Sequence, residues 1–275
     1  MCGAPIYEYH HMVPYATQKE HAAENITLLC ANHHSESTSG LLSPEQVAQA
    51  DREPCNRQRG VSSPYGLHFT GHAIECVIGG NAFFSQIHDG ANSTVAIPIS
   101  VDDTDLLWFR IDRSGGLFLN ANVFDTNNLP TLIIRENALA YRTSTWDIQF
   151  ERRMLAIREA ARTILFEIEF VPPDKVIIHR ARLLCNGIEI LVRKSHVFIV
   201  NSGQLLVANR VGNALIGLQL GRNDRQLGGA FTCNPEVLSR YNMPAKEARQ
   251  RERQALQNMG NMLELLGVSL DPETL

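Results

Sequence analysis

Apolar residues keep two rhythms along this chain. Between residues 67 and 221, short apolar or alternating runs recur at Thr94–Ile99, Leu106–Ile111, Leu117–Phe124, Thr131–Ile134, Ile164–Val171, Val176–Arg180, Ile188–Val192, His196–Val200 and Leu205–Ala208. Turn-forming pairs separate many of them: Asp89-Gly90, Gly115-Gly116, Asn127-Asn128, Asn186-Gly187, Ser202-Gly203 and Gly212-Asn213. Short strands punctuated this way predict a mainly-β domain, built as a sandwich, a barrel or an irregular solenoid. Arg153–Arg162 suits a helix on propensity and a strand on context, and the pattern does not separate the two.

The second rhythm belongs to Ala245–Leu266, where Leu256, Met259, Leu263 and Leu266 recur on one face of a helix. A helix docked on the β domain is the expectation, and a homodimer seam is the alternative. The residues between Gly221 and Pro244 read as loop. At the other end, Ser43 suits an N-cap, Pro44 the first helical position, and Glu45 and Gln46 the first turn of a short helix reaching about Ala50. Asp51–Tyr65 carries Pro54, Gly60, Ser62, Ser63 and Pro64 and reads as a linker. The predicted organisation is an α+β chain. It has a compact N-terminal unit at 1–50, a linker at 51–66, a β-rich domain at 67–221, and a loop with a C-terminal helix at 222–275.

Composition narrows the function classes. At 275 residues, 44% hydrophobic and 20% charged, the chain suits two folded domains and excludes bulk disorder. No apolar run approaches the ~18–20 residues of a spanning helix, and the first dozen residues lack the pattern of a secretory signal. Six scattered cysteines suit a reducing compartment, so the expected location is cytoplasmic, with no membrane partner. Residues 1–60 hold four basic and seven acidic side chains, and no basic block marks a broad nucleic-acid footprint. Any such contact must rest on a local site. Five of the ten histidines, at 10, 11, 21, 33 and 34, fall at the start of the chain.

The chemistry therefore concentrates in the string from Glu8 through His10, His11 and Met12 to Pro14, then Asn25, then Leu29, Cys30, His33 and His34. Adjacent histidines on a strand face opposite ways, but at a strand end or bend one can bind a metal while its neighbour addresses substrate. His34, presented from a following helix or turn, would complete a two-imidazole metal site with one of them. Imidazoles suit zinc, nickel and other borderline metals and leave positions open for water and phosphate oxygen.

This string resembles the HNH endonuclease family, whose ββα-metal finger carries a His-His or Asp-His pair, a central Asn, and a terminal His after a Leu-Cys-x-x-Cys/His step. The matching text covers roughly residues 2–50, under a fifth of the chain, with five elements in order at family-like spacing. The resemblance implies metal-dependent hydrolysis of phosphodiester bonds in DNA, with RNA not excluded. It makes His11 the general base and Asn25 the residue that holds the loop bearing His11. His10, in place of the more usual Asp, and His34 would hold a divalent cation: Mg, Mn, Ni or Zn. The family's second, structural zinc would draw on Cys30 and His33 as one pair and on Cys2 from the other. The partner of Cys2 would lie three residues upstream of it, before Met1. The expectation is a start clipped there, with a substitute ligand or an absent zinc as alternatives. Nothing in the spacing of Cys55 marks it as that substitute.

A different class is a non-catalytic zinc-binding interaction module fused to a β-rich binding domain. In a third, the β domain is a lectin-like or small-molecule sensor and the N-terminal unit its effector. The remaining polar residues carry blander expectations. His21 suits an exposed loop, Glu8 and Glu36 solvated surface, and His68, His72, His88, His179 and His196 structural positions. Asp102, Asp103 and Asp105 read as an exposed turn rather than a calcium site. Gly79-Gly80 and Gly115-Gly116 read as turns rather than phosphate loops. Arg249, Arg251 and Arg253 are offset by Glu247 and Glu252 and signal phosphate binding only weakly.

Overall fold

The computed structural model describes residues 1–13, 15–19, 22–141, 147–160, 163–233 and 238–265. Pro14, His21, Arg162 and Leu266, each part of a sequence expectation, lie outside that set.

The chain opens with a two-stranded hairpin. Strand β1 (Glu8–His11) leads through a short helix α1 (Tyr15–Gln18) and a 3-10 turn (Ala23–Asn25) into β2 (Ile26–Leu29). The strands pair antiparallel, with Glu8 opposite Leu29 and His11 opposite Ile26. Helix α2 (Ala31–Thr38) follows, then α3 (Pro44–Arg52) and α4 (Cys55–Arg59). The start of α3 is the one its residues predict. Ser43 Oγ accepts from Gln46 N, the Gln46 side chain accepts from Ser43 N, and Pro44 takes the first turn. The stretch that reads as linker holds the end of α3 and the whole of α4.

The β-rich part consists of two open sheets. One joins β3 (Leu67–His68), β6 (Ser93–Val101), β7 (Thr104–Asp112), β8 (Gly116–Phe124), β9 (Pro130–Arg135) and β10 (Ala138–Tyr141). Its far edge is β19 (Ile216–Leu220), paired in parallel with β6, and β20 (Gly229–Cys233), paired in parallel with β19. The other sheet runs through β11 (Asp147–Glu151), β12 (Met154–Ala160), β13 (Thr163–Val171), β14 (Lys175–Cys185), β15 (Ile188–Val192), β16 (His196–Ile199) and β17 (Gln204–Val207). Strand β4 (Ala73–Ile78) adds in parallel to the first half of β14, β5 (Asn81–Gln86) pairs with β4, and β18 (Arg210–Val211) pairs with β5. Within Arg153–Arg162, Met154–Ala160 thus resolves to strand, because β12 pairs on both sides. The expected loop after Gly221 contains β20, a short edge strand that opens on a glycine and sends no alternating signal.

Both sheets contribute to one apolar core. Phe109, Leu117 and Ile134 from the first meet Ile74, Ile168, Val176 and Ile190 from the second. Burying each such side chain contributes about 1.5–3 kcal/mol, which is what holds two open sheets face to face. Of the three β architectures the pattern allows, the described strands leave out a closed barrel. The Asp102-Asp103 turn is clamped rather than solvated: Asp102 pairs with Arg240, and Asp103 and Asp105 pair with Arg225. The Arg240 hydrogen bonds hold the Asp102 carboxyl down at about 2.

Helix α5 (Ala245–Leu265) packs on the β domain beside Leu191, Phe198, Val200 and Met243. Its buried face carries Ala248 and Glu252, one turn N-terminal to the leucine stripe that the sequence emphasises. Glu252 Oε1 lies 3.0 Å from His196 Nε2, and Glu252 Oε2 accepts from Arg193 Nη2 at 3.0 Å. Burial opposes ionisation of Glu252, but His196 and Arg193 outweigh it and hold the carboxyl below the usual range. Its stabilising contribution is therefore present above the unfolded pKa of about 4.3 and lost as pH falls through the lower folded value. Glu252→Ala is expected to cost about 3 kcal/mol at pH 7 by leaving buried His196 and half-buried Arg193 unpaired. The measurement is the urea midpoint, and the gap to the parent should narrow as pH falls below the unfolded value and through the lower folded one. Equal midpoints at pH 7 would contradict this account of how α5 docks.

Candidate functional site

The functional geometry is set where β2 becomes α2. Cys30 is extended (φ −68°, ψ 160°) and serves as the N-cap of α2. His33 and His34 then fall in the first turn, and His34 N donates to Cys30 O at 2.8 Å. Consecutive helical residues point about 100° apart, so these two histidines cannot serve one site from one face. His33 turns back towards Cys30, whereas His34 turns towards β1.

On the first face, Cys30 Sγ lies 3.2 Å from His33 Nδ1 and 3.6 Å from Cys2 Sγ. All three donor atoms fall within 4.8 Å of one another. Ligand atoms around a tetrahedral zinc stand roughly 3.5–3.8 Å apart, given bonds of about 2.3 Å to sulfur and 2.0 Å to nitrogen. Two thiols and an imidazole are also the donor types a borderline-soft cation prefers. The three residues therefore fit a metal in both spacing and chemistry. Burial pushes the Cys30 thiol above its ordinary range; the His33 backbone N–H works the other way, and the Cys2 thiol adds to the rise. Metal binding would have to displace that proton.

Cys2 is brought to the site by a strap from the far side of the linker. Ser63 Oγ donates to Cys2 O, and Ser63 N donates to Gly3 O, both at 2.7 Å. Ser62 next to it exchanges two bonds with Leu139 of β10: Ser62 N donates to Leu139 O, and Leu139 N donates to Ser62 Oγ. Tyr7 makes a second tie, donating to Asp147 Oδ1 of β11 at 3.2 Å, with burial raising its phenol to about 12. The N-terminal unit is thus bound to the β domain through hydrogen bonds at both ends of its opening segment.

On the second face, alternation along β1 puts Glu8 and His10 on one side. The His10 and His34 rings stand edge to face with centroids 5.2 Å apart. His34 Nδ1 lies 3.0 Å from Glu8 Oε2, and His10 Nε2 lies 3.1 Å from Ser37 Oγ. Each ring therefore has one nitrogen engaged by the protein, His34 Nδ1 by Glu8 and His10 Nε2 by Ser37. This is the arrangement by which an outer partner fixes the tautomer of a ligating histidine. Burial, and then the neighbouring His34 and His11, push His10 below its ordinary range, favouring the neutral form that ligation requires. His11 follows His10 as the last residue of β1, opposite Ile26. Asn25 lies opposite the end of that strand, and its backbone carbonyl accepts from Met12 N at 2.8 Å.

Of the predicted residues, the structure brings Cys2, Cys30 and His33 together in one group and His10 with His34 in a pair, while His11 follows His10 at the end of β1. Glu36 is exposed, as expected. Glu8 is not merely solvated surface, since its carboxylate engages His34. Its signal was the i, i+2 spacing to His10 on a strand. Ser37 was missed, although it stands three residues after His34 and so on the same helical face. Among the other histidines, His179 pairs with Glu169 and His196 with Glu252, both structural. His33→Ala is expected to weaken Zn²⁺ binding at least about tenfold in competition with a chromophoric chelator, on the scale by which even outer-shell changes reduce metal affinity. Unchanged affinity would remove His33 from the site. No family model, curated protein or solved structure matches this chain, so its function must be argued from these residues.

Proposed function

We propose that the N-terminal unit is an HNH-type ββα-metal finger and that the chain is a metal-dependent endonuclease hydrolysing phosphodiester bonds of DNA. The observation that carries this reading is the meeting of His10 and His34 across β1 and α2, with His11 at the end of the same strand. A purely structural zinc knuckle has no use for a second imidazole pair whose outer nitrogens are already engaged by Glu8 and Ser37.

In this reading His10 and His34 hold a divalent cation, and Cys2, Cys30 and His33 hold a structural zinc. When bound, the divalent cation supplies Lewis-acid stabilisation of the phosphoryl and departing 3′ oxygens. His11 accepts the proton of the water that attacks phosphorus, as a neutral imidazole suits at neutral pH. The new P–O bond forms as the P–O3′ bond breaks, and the 3′ oxygen leaves with the electron pair and gains a proton from solvent. Asn25 ties the start of β2 to the residue after His11, so the base keeps its place at the hairpin end. Glu8 and Ser37 orient the two metal-facing rings. The β domain, to which the finger is strapped, serves targeting, assembly or sensing.

The test is plasmid cleavage by the purified chain with EDTA, Mg²⁺, Mn²⁺, Ni²⁺ or Zn²⁺, beside His11→Ala, with an RNA substrate in parallel. Metal-dependent nicking that falls at least about a hundredfold in the variant is expected for loss of a general base. Folded, metal-loaded protein that cuts neither nucleic acid would favour a zinc-binding interaction module instead.

A further inference from the structure

We infer that Cys55 is the fourth ligand of the metal site at Cys2, Cys30 and His33, closing it from helix α4. This rests on the reading that those three residues bind metal. Three ligands leave a position open, whereas a structural zinc takes four. The three donors face a cleft of about 640 Å³, and Cys55 lines the same cleft. Its approach to the site is close. A Cβ built on Gly3, the neighbour of Cys2, would stand 3.6 Å from Cys55 Sγ and 2.5 Å from Asn56 Oδ1. Gly3 has φ +76°, a conformation that favours glycine, and so the opening segment passes directly against the start of α4.

Cys55 Sγ stands outside the tight group formed by the other three donors. Changing its χ1 rotamer moves a cysteine sulfur by about 3 Å, so the thiol can be redirected into the cleft without moving the backbone of α4. Competing donors on the cleft wall are poorer. Asp51 is an exposed carboxylate at the end of α3, and a site already holding two sulfurs favours a third thiolate over a solvated oxygen. The closed site would join three separate stretches of chain: the opening segment, the start of α2 and the start of α4. On binding Zn²⁺ the three thiols release three protons and His33 binds neutral. A region whose composition reads as linker would thereby become part of the metal-held framework.

The experiment loads the full chain with Co²⁺ as a spectroscopic stand-in and compares Cys55→Ser, Cys30→Ser and Asp51→Asn. The expected spectrum of the parent is tetrahedral with charge-transfer intensity of three thiolates. Cys55→Ser should fall to two and lose at least about tenfold in Zn²⁺ affinity, with proton release dropping from three to two. Asp51→Asn should match the parent. If Cys30→Ser loses the spectrum while Cys55→Ser keeps that of the parent, the inference is overturned and the three-residue site stands. If Cys30→Ser also keeps it, the site itself is overturned and Cys55 with it. Alkylation needs no variant. Zn²⁺ should protect Cys55 together with Cys2 and Cys30, and EDTA should expose all three. Labelling of Cys55 at the same rate with and without Zn²⁺ would overturn the inference independently of any effect of substitution on folding.

Discussion

The N-terminal unit depends on one change of backbone direction at Cys30. There a strand ends, a helix begins, and the same residue supplies a thiol. Had the helix begun one residue later, His33 would no longer fold back on Cys30 and His34 would miss β1. Helical geometry then does the sorting, because residues 33 and 34 point about 100° apart. One donor goes to the sulfur group and the other to the histidine pair. In the endonuclease reading, a soft metal site on one face and an imidazole-based one on the other are thus separated by a single residue of sequence.

The opening segment and the β domain complete what α2 begins. Cys2 reaches Cys30 only because Ser63 holds the backbone of residues 2 and 3, and Ser62 carries that hold into β10. Tyr7 repeats the attachment at β11. The β domain is therefore no passive neighbour. Strand β10 is linked to Cys2 through Ser62 and Ser63, and Cys2 stands beside Cys30 at the start of the helix that presents His34. In the endonuclease reading, this gives a sensor or targeting domain a mechanical route to the site, through hydrogen bonds rather than a flexible tether.

Local chemistry was legible where it obeys short-range rules. Ser43, Pro44 and Gln46 predict the start of α3, because a capping box is decided within four residues. Strands such as Ile188–Val192 announce themselves by composition and bounding turns. Strand β4 escaped because it is set by parallel pairing with β14, a hundred residues on, and β20 because a short edge strand opening on a glycine carries no alternating signal. At the site, the order of histidines and cysteines was visible, and so was the surplus of donors. What the sequence could not display was their distribution in space: Glu8 against His34, Ser37 against His10, and Cys55 on the wall of the cysteine cleft. Those relations depend on strand register and on the path of the chain through Ser62 and Ser63, which no local pattern encodes.

Anomalous diffraction addresses the central claim, that one helix serves two metal sites of different character. Crystals of the chain with a short DNA duplex would be soaked in Zn²⁺ and Mn²⁺, with data recorded on both sides of each absorption edge. The account predicts a zinc peak among Cys2, Cys30 and His33 and a separate manganese peak between His10 and His34. Zinc at the cysteines with no metal at the histidine pair under saturating Mn²⁺ would contradict it, leaving a structural knuckle where we place a nuclease.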